Sequence, residues 1–158
     1  MYQESDYTEI REQIRRRSLI LLFFVVLLLV PAIVGIVAHF GRNTSLHWLT
    51  YASLLLLGTL LLFVDGMFIM PLRAYKRHLH TALYGRTATL SGQFKTLDHT
   101  VCVRDNVSFY PLIANVGDLS SEEDDRLFYI DVLKPRPTFE PGDPVTIVSY
   151  DKNITSIA

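Results

Sequence analysis

The stretch SLILLFFVVLLLVPAIVGIVAHF, residues 18–40, decides how this chain is read. It holds no Asp, Glu, Lys or Arg, and residues 19–30 are wholly Leu, Ile, Phe and Val. At ~1.5 Å per residue a helix of that length rises about 35 Å, enough to cross a hydrocarbon layer of ~30 Å. A chain of 158 residues has no core deep enough to bury such a helix. A second apolar stretch follows at residues 46–72, and its first part, 46–64, carries no charge. Between the two lies GRNTS, residues 41–45, a short polar turn. The expectation is an antiparallel hairpin of two transmembrane helices, 18–40 and 46–72, joined by an external turn. A cleaved signal peptide shares the basic start Arg15-Arg16-Arg17, but the apolar run is too long and no Ala-x-Ala site follows it.

Basic residues set the expected orientation. Arg11, Arg15, Arg16 and Arg17 precede the first span, and Arg73, Lys76, Arg77 and Arg86 follow the second, while the turn carries only Arg42. An excess of Lys and Arg marks the cytoplasmic side, so both termini are expected there. The reading is of an integral membrane protein, of a bacterial cell membrane, with residues 1–17 as a cytoplasmic N-terminal segment. Composition agrees: 49% of residues are apolar, 20% charged, and mean hydropathy is +0.25. These values exclude a disordered or collagen-like chain. A lone Cys102 excludes an internal disulfide.

From residue 85 the texture changes to short alternating runs broken by turn residues. Strands are expected at 87–94, 99–104, 107–113, 126–133, 145–150 and 154–157. In the fourth, Phe128, Ile130 and Val132 face one way and Leu127, Tyr129 and Asp131 the other. Asp105-Asn106 and residues 151–153 read as turns, and Pro141-Gly142 as a type II turn. Five or six strands in about 70 residues make a small all-β barrel, OB-like or SH3-like. The domain plan is thus completed by a basic juxtamembrane linker, 73–84, and a cytoplasmic barrel, 85–158. Residues 87–158 hold six Lys or Arg against eleven Asp or Glu, whereas 73–86 are wholly basic in their charges. An acidic barrel is not the basic, aromatic-lined groove that single-stranded nucleic acid requires, so no nucleic acid partner is expected.

The segments Gly85-Arg86-Thr87-Ala88-Thr89 and Phe139-Glu140-Pro141-Gly142-Asp143-Pro144-Val145-Thr146-Ile147-Val148, opening and closing the barrel, resemble those of NfeD-like membrane proteins. The resemblance covers the last 75 residues or so. It implies an OB-fold after membrane helices, and a non-catalytic partner of flotillin- or stomatin-type scaffold proteins.

Few residues invite chemistry. Asp65 is an acid within the second apolar stretch, where it would relay protons or make an intramembrane polar contact with Arg17 or a partner's base; if the span is 46–64, it instead marks the helix leaving the hydrocarbon. Pro31, Ala32, Gly35 and Ala38 offer a small-residue surface for helix packing. Arg73, Lys76 and Arg77 form a membrane-surface basic neck suited to anionic lipid. The five His show no metal spacing, Glu122-Glu123-Asp124-Asp125 lacks the spaced ligands and Gly of a calcium loop, and Cys102 has no base beside it in sequence. Neither a phosphate-binding Gly loop nor a hydrolase motif occurs. No enzyme activity, cofactor, metal or small-molecule substrate is evident. The expected function is a barrel held at the membrane as a binding or scaffolding module for a protein partner or its own copies. The alternative is an accessory subunit of a transporter or secretion complex acting through the hairpin and Asp65.

Overall fold

The computed structural model describes residues 1–40, 46–119 and 121–158, so the expected turn at 41–45 lies outside the described residues. The chain divides into two compact units, residues 9–73 and residues 1–8 with 74–158.

The first unit contains most of α1 (Glu4–Phe40), α2 (His47–Val64), a π-helical turn (Asp65–Ile69) and the first residues of α3 (Met70–Tyr84). Two helices here are long and apolar enough to cross a membrane. Most of their large side chains point outward: Phe23 is 64% exposed, Leu55 73% and Leu62 81%. The helices meet through small residues. Ala32 and Gly35 of α1 are buried, as is Ser53 of α2, and Thr50 Oγ1 donates to the Ala32 carbonyl at 3.4 Å. A Cβ on Gly35 would collide with Thr50 Oγ1 and lie 3.2 Å from the Leu46 carbonyl oxygen, so only glycine allows this approach. Pro31 and Ala38 are half-buried, and Pro31 sits inside α1 without ending it.

The second unit is built on a closed five-stranded barrel. Its strands are β1 (Ala88–Leu97), β3 (Val107–Asn115), β4 (Asp125–Asp131), β5 (Pro144–Tyr150) and β6 (Asn153–Ile157), with β2 (Cys102–Arg104) as a short hairpin arm on β3. β1 runs antiparallel to β5 from Ala88 to Gln93, then shifts register between Phe94 and Thr96 and pairs with β3. β3 pairs with β4, β4 lies parallel to β6 at Tyr129–Asn153, and β6 returns to β5. This double pairing carries β1 to Leu97, beyond the expected end at residue 94. The core holds Phe94, Leu112, Ala114, Phe128, Ile130, Val145, Ile147 and Ile154. Each of its large side chains contributes about 1.5–3 kcal/mol by leaving water.

Turn chemistry follows the residues. Asp105 and Asn106 have φ of 51° and 61°, and Asp151 and Lys152 have 43° and 68°, the left-handed pairs that tight hairpins need. Gly142 has φ 101°, and Asp143 N donates to Glu140 O at 3.0 Å, closing the type II turn. β4 stops at Asp131, short of the expected end at 133. The Asp131 side chain takes the Leu133 N–H at 2.9 Å and its carbonyl takes the Lys134 N–H at 3.0 Å, which turns the chain away.

The helices run beyond the expected segments. Residues 73–84, read as a basic juxtamembrane linker, form most of α3, with Ala74, Leu79 and Ala82 buried. Helix α1 begins at Glu4, well before the expected span at 18, and residues 1–8 belong to the barrel unit.

Candidate functional site

One outer face of the barrel carries apolar side chains that β-alternation alone would send to solvent or to a second layer. Val107 and Phe109 of β3 are buried, and Cys102 and Tyr129 pack beside them. Their cover is α3, which lays Ala74 and Tyr75 on this face. His78, one turn on, sets its ring edge-on to Phe109 at a centroid distance of 5.2 Å.

A polar centre pins the layer. Asp131, 1% exposed, stands at the end of β4 on the same side as Tyr129. Tyr75 donates to Asp131 Oδ2 at 2.7 Å, and Tyr2 reaches the same oxygen at 3.4 Å. The Tyr2 hydroxyl also lies 3.0 Å from His78 Nε2. A buried carboxylate is costly unless its lone pairs are filled, and here two phenols and the Leu133 amide fill them. The electrostatic consequences are consistent. Burial first, then the adjacent Asp131 charge, raise the Tyr2 phenol far above its ordinary range. Burial and the hydrogen bond to Asp131 do the same to Tyr75. Burial lowers His78, against a smaller pull from Asp131 in the other direction.

The N-terminal residues are fastened at further points. Lys134 Nζ meets Asp6 Oδ2 at 2.6 Å, and this contact chiefly holds the Asp6 carboxyl below its usual range. Tyr84 donates to Glu4 Oε1 at 3.1 Å. Lys76 lies over the Tyr7 ring at 5.5 Å, and Lys134 over the Tyr2 ring at 5.3 Å.

The cover leaves a cavity of about 290 Å³ between α3 and the two hairpin turns, β2–β3 and β5–β6. Arg77, His78 and Thr81 line it from α3, Arg104 and Asp105 from one turn, and Asp151 from the other. Arg104 also stacks over Tyr129 at 4.5 Å.

The residues singled out in the sequence are spread over both units. Ala32 and Gly35 do lie at the α1–α2 contact. Asp65 pairs with Arg73 at 3.1 Å, both about half exposed. Arg17 instead donates to the Phe68 carbonyl, at 3.2 Å, in the π-helical turn. Of the basic neck, Lys76 faces Tyr7 and Arg77 lines the cavity. Among the described residues no cluster of His, Cys, Asp or Glu has the form of a metal site. Sequence reasoning passed over Tyr2, Tyr75, His78 and Asp131. One signal was present: Tyr75, His78, Leu79 and Ala82 recur at the three- and four-residue spacing of one helix face.

Comparison of the chain with known protein families, with curated proteins and with solved structures gives no match.

Proposed function

We propose that this is a non-enzymatic integral membrane protein whose helical hairpin anchors the barrel at the cytoplasmic face as a protein-binding or scaffolding module. Two arguments support the anchor. The exposed apolar side chains of α1 and α2 would be a severe liability in water, and such continuous patches belong against lipid. The basic flanks fit an orientation with both termini inside. Only nine residues, 65–73, separate α2 from the part of α3 that belongs to the barrel unit. Even fully extended, nine residues reach only about 32 Å, a short tether.

The observation that carries the binding reading is α3 lying on the barrel face. We read the closed order β1-β3-β4-β6-β5, with its parallel β4–β6 pair, as OB-like rather than SH3-like. In that architecture the face of the second and third strands, between the first and last hairpins, takes oligonucleotides or sugars. Here these strands are β3 and β4, and α3 packs over them, leaving only the small cavity open. A long polymer has no access to it. What remains for partners is the uncovered, acidic outside, where Val103 is 66% and Leu133 71% exposed. A flotillin- or stomatin-type scaffold is the partner class that the NfeD-like resemblance implies. Against the transporter-subunit alternative stands the Arg73 guanidinium, 3.1 Å from Asp65, which already gives that acid a partner within the chain.

The test is purification of the full chain from native membranes in gentle detergent, with mass spectrometry of companions. A stoichiometric companion that is lost on Val103→Glu with Leu133→Glu supports the module. A companion unaffected by those changes but lost on Gly35→Leu favours the subunit reading. Extraction of the chain by alkaline carbonate refutes membrane insertion.

A further inference from the structure

The cavity beneath α3 is ringed by charge of both signs. Arg77 comes from α3, Arg104 and Asp105 from the β2–β3 turn, and Asp151 from the β5–β6 turn. Among the described residues none of these four makes an ion pair; the ion pairs there are Arg73–Asp65, Lys95–Asp125 and Lys134–Asp6. Two basic and two acidic residues thus border one space with no ion pair among them, and the Arg104 guanidinium lies over the Tyr129 ring at 4.5 Å. Positive φ at Asp105 and Asp151, 51° and 43°, fixes both turns. The buried Val107 and Phe109 also line it. At about 290 Å³ the space stands at the small end of ligand sites, too small for a polymer.

Basic and acidic residues around one small cavity match a ligand that carries both charges. We propose that this cavity binds a zwitterionic phosphate group, a phosphate and a primary ammonium on one small molecule, as in a phosphoethanolamine headgroup. Arg77 and Arg104 take the phosphate oxygens, for which the planar guanidinium fork is suited. Asp105 and Asp151 take the ammonium. The same chemistry occurs in a membrane lipid and in its free glycerophospho-headgroup. The choice of a headgroup rests on the membrane reading above.

The experiment uses the full chain in dodecyl maltoside micelles, titrated calorimetrically with glycerophosphoethanolamine. Saturable binding is expected, with at least tenfold weaker binding by Arg104→Gln and by Asp151→Asn. Asp151 is exposed, so Asp151→Asn should leave the melting temperature unmoved, whereas Arg104→Gln gives up its stack on Tyr129 and should lower it by only a few degrees with the far-UV circular dichroism unchanged. Glycerol 3-phosphate, which lacks the amine, should bind at least tenfold more weakly than glycerophosphoethanolamine. Competition by micelles containing phosphatidylethanolamine assigns the lipid as the source, and its failure assigns the free headgroup. Absence of saturable binding to the folded chain, or equal affinity in both variants, overturns the site. Equal binding of glycerol 3-phosphate overturns the role given to the two acids. Carbonate extraction tests membrane insertion separately, because the titration reads the cavity whichever way that result falls.

Discussion

Replacement of Tyr75 by Phe tests whether Asp131 holds α3 on the barrel. The change keeps the ring against Val107 and Phe109 and deletes only the hydroxyl, 2.7 Å from Asp131 Oδ2. A hydrogen bond to a charged acceptor contributes about 1.5–3 kcal/mol, and a buried carboxylate cannot turn to water to replace it. Tyr2, at 3.4 Å from the same oxygen, can close in and recover part of the loss. The expected cost is therefore about 2 kcal/mol. For a unit of roughly 90 residues, each kcal/mol moves the melting temperature by about 4–8 °C, so a fall of about 8–16 °C is expected. The full chain in detergent would be followed by far-UV circular dichroism, with amide hydrogen exchange read on peptides covering residues 1–8 and 74–84. Exchange should rise in both segments, because Tyr2 and Tyr75 share one carboxylate. In the double variant with Tyr2→Phe the losses should not add, because either phenol can serve that oxygen. A shift under about 2 °C with unchanged exchange in α3 would refute the argument that Asp131 pins the layer.

Three other outcomes follow from the same contacts. The Tyr2 and Tyr75 phenols are raised in the folded unit, so their stabilisation is complete below the unfolded value near 10 and is lost as pH rises above it. Alkaline titration of the melting temperature should therefore slope downward above about pH 10, more gently in Tyr75→Phe; equal slopes would contradict it. In the hairpin, Gly35→Ala should lower the thermal midpoint seen by Trp48 fluorescence by the equivalent of about 1–3 kcal/mol. Thr50→Ala should restore part of that loss, and no restoration would mean that the contact lies elsewhere. Gly142→Ala forces a side chain onto φ 101° and should destabilise the barrel by about 1–3 kcal/mol in a chemical denaturation series; an unchanged midpoint would argue against the type II turn.

Local chemistry was legible where it is set by neighbours along the chain. Uncharged runs gave the two apolar helices. Asp105-Asn106, Asp151-Lys152 and Pro141-Gly142 gave the turns. The alternation of Phe128 and Ile130 gave the core side of β4, because side-chain direction in a strand has a period of two whatever the strand pairs with. The small residues Ala32 and Gly35 were visible for the same kind of reason, since close helix approach needs missing side-chain atoms.

The rest depended on partners distant in sequence. Residues 73–84 read as a basic neck because Arg73, Lys76 and Arg77 dominate their composition, yet the opposite side of that helix packs on β3. Nothing near Tyr2 indicates that its hydroxyl meets a carboxylate 129 positions away. Asp131 read as an outward-facing strand residue, and it does stand on that side; what buries it is α3, a second layer that alternation cannot announce. The cavity and its charge ring exist only because two hairpin turns and one helix converge. The sequence by itself therefore determined the elements and their apolar faces, through local sterics and hydrophobic period. The tertiary structure alone decided which face is covered, which carboxylate is buried and where a small ligand has room, because those follow from contacts between elements.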